Sequence, residues 1–146
     1  MGWLSWFQKK PTMDERAQRK RDQVLGVMGD VEQFMLATRT HIADRDMMIP
    51  RRQTFHTLYT LGTIEALGQT DGFDEAQHLA GLLLFLNKHS GMDQTGVSTL
   101  MGQCMSHQES TEGLHARQQG QDAILAWRSG DAEAAHRLTA IFAQMT

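Results

Sequence analysis

The stretch from Phe73 to His89, FDEAQHLAGLLLFLNKH, constrains the fold of this chain more than any other, because it is the most apolar run in the sequence. Leu79, Leu82, Leu83 and Leu86 fall at i, i+3, i+4 and i+7, and Ala80, Leu84 and Phe85 fill most of the remaining circumference. A helix that is apolar on nearly every side needs cover from several neighbours. Its seventeen residues make about 25 Å of helix, too short an apolar run for a bilayer and a fitting length for the middle of a small bundle. The expectation is an all-α antiparallel bundle of five or six helices with this central apolar helix near 73–89.

The rest of the chain fits that frame. A chain of 146 residues has the usual size of one domain, giving an aromatic and basic N-terminal segment at 1–11 and a single helical-bundle domain at 12–146. Thr12 and Glu15 form a capping-box pattern, and Val24, Val27, Met28, Val31, Phe34, Met35 and Ile42 continue at helical spacing, so a long helix is expected over about 13–44. Pro50 is placed as a first helical residue for a second helix over 50–68, with Phe55, Leu58, Tyr59, Leu61 and Ile64 on its broad face. Asp71 is the expected N-cap of the central helix. Asp93 opens a fourth helix with the stripe Val97, Leu100, Met101, Cys104 and Met105. Ser106 and Glu109 repeat the capping-box pattern, so a fifth helix is expected to run from there to Trp127. Polar composition with Gly113 and Gly120 marks 106–122 as the least stable stretch. Ala135, Leu138, Ile141, Phe142 and Met145 give a last helix over 131–145. No segment alternates as a strand does.

Charge is unevenly spread. Residues 1–52 carry a net +3 and residues 53–146 a net −6. The N-terminal run MGWLSWFQKK joins Trp3, Leu4, Trp6 and Phe7 to Lys9 and Lys10, and Arg16, Arg19, Lys20 and Arg21 follow. Its apolar part is shorter than a secretory h-region and the charges come after it, so it does not read as a signal peptide. Trp favours the headgroup layer, and each Lys or Arg near anionic lipid adds about 1 kcal/mol. The segment therefore reads as a dock for an anionic membrane surface or a protein partner. The structural alternative is an aromatic end that tucks onto the bundle.

Three Glu-x-x-His pairs, Glu75/His78, Glu112/His115 and Glu133/His136, stand where random placement of seven Glu and seven His would give about a third of one. The i, i+3 spacing puts both side chains on one helix face, the arrangement by which di-metal bundles present ligands inward. Such a site needs further carboxylates, for which Glu65 and Glu32 are the mid-helix candidates. Iron, manganese or zinc would be the metal. Against it, Glu75 and Glu133 occupy first turns, where the helix dipole favours an acid whatever the function. His41 and His89 are the candidates for an axial haem ligand, with few aromatics to build a pocket around either. Cys104 belongs to an apolar stripe, where burial dulls a thiol, and His107 lies beyond a helix break. The single cysteine fits a cytoplasmic chain, peripheral at the inner face of a membrane where the N-terminal segment reaches lipid. The basic residues form no recognition helix, so nucleic acid is not the expected partner. Met28, Met35, Met101 and Met105 read as adaptable core filler, with a groove for a partner helix as the alternative. The function expected from the sequence is a non-enzymatic helical adaptor or scaffold, and the alternative is a metal-binding bundle, ferritin-like or with a surface His/Glu site, acting as an oxidase or sensor.

Overall fold

The computed structural model describes residues 13–145 and is all-helical, with six α-helices packed against one another and no strand among those residues. They are α1 (Met13–Arg39), α2 (Pro50–Thr70), α3 (Glu75–His89), α4 (Gln94–His107), α5 (Thr111–Arg128) and α6 (Arg137–Gln144). Short 3₁₀ segments at Asp44–Met48 and Ala132–His136 precede α2 and α6. The all-α bundle anticipated from hydrophobic spacing is the fold observed.

Its centre lies elsewhere than expected. Every residue of α2 from Phe55 to Gly68 is buried, fourteen in succession. In α3, by contrast, Leu83 and Leu84 are 42% and 43% exposed, and burial is confined to Gln77, Gly81, Leu82, Phe85 and Leu86. The helix near 73–89 is thus an amphipathic flank, and α2 is the axis. What conceals α2 in the sequence is its threonines. Thr57, Thr60 and Thr63 are buried with their hydroxyls donating to the carbonyls of Gln53, His56 and Thr60. Each hydroxyl finds its acceptor within its own helix, so these polar residues enter the core at little cost.

The helix that packs most intimately on α2 is α5, the stretch read as weakest. Its buried residues Gly113, Ala116, Gly120 and Ala123 form one stripe of small side chains. A methyl group at Gly62 of α2 would lie 2.0 Å from the Arg117 carbonyl oxygen, and one at Gly120 would lie 2.0 Å from that of Tyr59. The two backbones touch, and only glycine permits it. Poor apolar periodicity here accompanies close approach of two backbones.

Several boundaries also move. The first helix ends at Arg39, whose guanidinium bonds the Ile42 carbonyl and Asp44, so Ile42 is buried from a turn beyond the helix and not from its end. The N-cap of α3 is Asp74, which exchanges bonds with Gln77 in a capping box, while Asp71 closes α2 and Gly72 turns the chain at φ +73°. Ser110, accepting from Gly113 N–H, caps α5. Ser106 instead donates to the Gly102 carbonyl within α4. Asp93 caps α4 as anticipated. The last helix begins as the 3₁₀ segment after Asp131 and turns α-helical at Arg137. Arg52 holds it in place by pairing with Asp46, donating to the Met145 carbonyl at 3.0 Å and lying over the Phe142 ring.

Candidate functional site

Toward its N-terminus α1 loses the cover of the bundle. The buried residues Val24, Val27, Met28, Val31, Phe34 and Met35 define its inner face. At 100° per residue, Ala17, Arg16 and Lys20 continue that same face toward the N-terminus. There is little bundle left to cover it there, and all ten residues from Asp14 to Gln23 are exposed. The last support comes from the start of α3. Lys20 pairs with Asp74 at 2.8 Å, and the Gln77 side-chain amide donates to the Lys20 carbonyl and to Gln23. Lys20 and the Gln77 N–H together hold the Asp74 carboxyl below its usual range. Beyond this clamp Arg16 and Arg19 project, with Arg21 on the flank, and none of the three has an acidic partner among the described residues.

Below the basic turns, α1 and α3 leave an apolar furrow. Ala17 and Val24 of α1 face Ala76, Ala80 and Leu84 of α3 around one depression. A second depression adjoins it across Leu84, bounded by Leu25, Met28, Glu32 and Lys88. Leu25 is 55% exposed, so this furrow is open to solvent. At its far end Glu32 pairs with Lys88 at 3.0 Å and faces His89 at 3.5 Å. The sequence carries a signal for this furrow in Ala76, Ala80 and Leu84, spaced four apart, which the dense leucines around them obscure.

No family model matches the chain, and neither a curated protein nor a solved structure matches it.

The docking residues proposed from the sequence divide in two. Trp3, Leu4, Trp6, Phe7, Lys9 and Lys10 lie outside the described residues, as does the cap assigned to Thr12. Arg16, Arg19 and Lys20 stand on the exposed first turns of α1. The Glu-x-x-His pairs are held in separate surroundings. His78 lies at the boundary of α2 and α3, its ring 5.8 Å from that of Phe73, with a buried Nε2 that has no hydrogen-bond partner among the described residues. Burial lowers its pKa, opposed by the nearby carboxylates of Glu65, Asp74 and Glu75. His115 is exposed beside Phe55, and Glu112 is bonded to Arg51. His136 stacks on His41 at 3.8 Å between ring centroids, with Glu133 exposed.

The carboxylates needed to complete a di-metal site are committed to cations. Glu65 receives two hydrogen bonds from Arg117, at 2.9 and 2.6 Å, and Glu32 faces Lys88 and His89. Among the described residues no three His, Cys, Asp or Glu side chains are grouped as a metal ion requires. The spacing leaves open whether these pairs converge; among the described residues they do not, because their helices turn the three faces toward different neighbours. Cys104 is buried, and burial pushes its thiol up to about 11 despite a hydrogen bond with Thr57. Met28 and Met35 are core, whereas Met105 is half exposed. No helix among the described residues is long and apolar enough to cross a membrane.

A histidine that spacing passed over is His56. It is 6% exposed within the buried run of α2, and its Nε2 has no partner among the described residues. Burial, helped by the nearby Arg39 charge, lowers its pKa to about 4, so the ring is neutral at pH 7.

Proposed function

We propose that this protein is a non-enzymatic adaptor whose bundle is held at an anionic membrane surface by its N-terminal aromatic segment together with the basic first turns of α1. The observation that carries this reading is the overhang of α1. Arg16, Arg19 and Arg21 stand on ten successive exposed residues and make no ion pair among the described residues, although Asp14, Glu15 and Asp22 share the stretch. A soluble bundle gains nothing in stability from extending a basic helix beyond its core, whereas exposed arginines that follow Trp3, Trp6 and Phe7 in the sequence match headgroup phosphates, and those aromatic residues match the interfacial layer. The apolar furrow between α1 and α3 continues from the same end, so the face turned toward lipid also offers apolar contact. Adaptor describes the remainder of the surface, which carries scattered ion pairs among the described residues.

Flotation with vesicles of phosphatidylcholine alone, or mixed with phosphatidylserine, tests the proposal. The full chain should float with the mixed vesicles and a version lacking residues 1–11 should lose most of that recovery. Equal recovery of the two proteins would sink the anchor reading. Equal recovery on neutral and anionic vesicles would remove the electrostatic half of it.

A further inference from the structure

The furrow between α1 and α3 is two depressions in a row, and both are open. The nearer, of about 310 Å³, has Ala17, Ala76 and Ala80 on its floor, three methyl groups where longer side chains would close it. The farther, of about 380 Å³, lies between Leu25 and Met28 on α1 and Leu84 and Lys88 on α3. A dry cavity of about 150 Å³ already accepts benzene, so each depression has room for an indole ring. Basic side chains rim them, Lys20 and Arg21 at the nearer and Lys88 at the farther, and a cation over an indole face is a favourable neighbour.

Spacing and reach point to one occupant. The nearer depression spans residues 17–24 of α1 and the farther 25–32, an offset of eight residues, or about 12 Å along the helix. In an extended chain Trp3 stands about 10 Å from Trp6 and about 13 Å from Phe7. These aromatic residues lie outside the described residues, in the stretch that enters α1 at Met13, beside the nearer depression. The ten residues from Trp3 to Met13 reach up to about 33 Å, against about 23 Å from Met13 to the middle of the farther depression. Pro11 disfavours helical backbone at Lys10, so the chain need not prolong the line of α1. A chain turning back there carries Lys9 and Lys10 past Asp14 and Glu15, the acids of the first turn of α1. So short a tether holds the aromatic residues at an effective concentration on the order of millimolar, which a separate molecule has to exceed.

We propose that, away from a membrane, the segment Trp3–Phe7 lies back in this furrow, Trp6 in the nearer depression and Trp3 in the farther, and that an anionic surface draws it out. The segment is then an anchor withheld by the bundle that it anchors. The release step rests on the membrane reading above; the docking does not.

The full chain carrying Trp127→Phe tests it, because its emission then comes from Trp3 and Trp6 alone. In buffer that emission should lie to the blue of the urea-unfolded chain. Ala80 is exposed, so Ala80→Gln fills the nearer depression without touching the core. That change should keep the helical circular dichroism and shift the emission to the unfolded position. Emission already at the unfolded position in the parent, or unmoved by Ala80→Gln, overturns the docking. Shielding that fades on dilution overturns it too, and assigns the furrow to a second copy of the chain. Flotation then tests release. A chain docked two-thirds of the time should bind phosphatidylserine vesicles about threefold more weakly than Ala80→Gln. Equal binding overturns the release step. Vesicle binding by neither protein, with the parent still shielded, sinks the membrane reading and the release with it but supports the docking.

Discussion

His56 and the paired glycines show how much of this fold is decided atom by atom. The pKa of His56 is about 4 in the folded protein, against 6.5 for an unburied ring. Above pH 6.5 the ring is neutral in both states and the full stability is present. Between 6.5 and 4 the unfolded chain takes up a proton that the folded chain refuses, so stability falls with pH by up to 1.4 kcal/mol per unit. Going from pH 7 to pH 5 should therefore cost the wild type about 2 kcal/mol more than His56→Met, a comparison made by urea denaturation at both pH values. An equal loss would show that His56 is not held neutral. Glycine gives a second test at this scale. A Cβ at Gly29 meets nothing within 4 Å, whereas at Gly62 it strikes the Arg117 carbonyl. Gly29→Ala should stabilise by about 0.5–1 kcal/mol, the ordinary helix preference. Gly62→Ala should destabilise by about 2 kcal/mol or more, since two helices must part to admit the methyl group. Denaturant midpoints of opposite sign are the expected result. Neither outcome is visible in the letters alone, where both residues are glycines inside helical patterns.

Elements were more legible than residues, but unequally so. Apolar spacing located α1, α4 and α6 because each has a single buried stripe, and the proline and aspartate signals placed the starts of α2 and α4. It misjudged the rank of α2 and α5 for one physical reason. A helix can be buried by satisfying its own hydroxyls or by having no side chain to bury, and hydrophobic counting sees neither. The same pair of helices is joined by a largely buried ion pair. Glu65 is 8% exposed and Arg117 meets it with two parallel bonds. That contact raises the pKa of Arg117 further. Removing Arg117 leaves the buried Glu65 charge uncompensated, so Arg117→Met should destabilise by about 3 kcal/mol, while adding Glu65→Leu should recover most of that loss. Full additivity in this double-mutant cycle would mean that the pair is not coupled across α2 and α5. The Glu-x-x-His pairs illustrate the complementary limit. Spacing put each pair on one face of its helix, but which way that face turns depends on packing between helices, and this no local pattern records.

At the scale of the whole molecule the charge asymmetry visible in the sequence acquires a position. Part of the positive N-terminal portion, the first turns of α1, stands clear of the core, and the negative remainder is spread over the other helices, many of its acids already paired. Folding stability and surface attraction are therefore separable here, and one variant can test the separation. Arg16, Arg19 and Arg21 are exposed and make no ion pair among the described residues, so replacing all three with Gln should leave the thermal midpoint where it is. Near an anionic surface each charge contributes about 1 kcal/mol, and losing three should weaken partition onto phosphatidylserine vesicles by about two orders of magnitude. Raising the salt concentration should reproduce part of that loss in the wild type and much less in the variant, since screening can only remove an attraction that is present. Wild-type partition by the triple variant, with its usual salt dependence, would assign the attraction to Lys9 and Lys10 and leave the α1 overhang without a part in docking. A fall in both partition and thermal midpoint would instead show that these arginines support the bundle, and would remove the reason for reading the overhang as a surface made for another molecule.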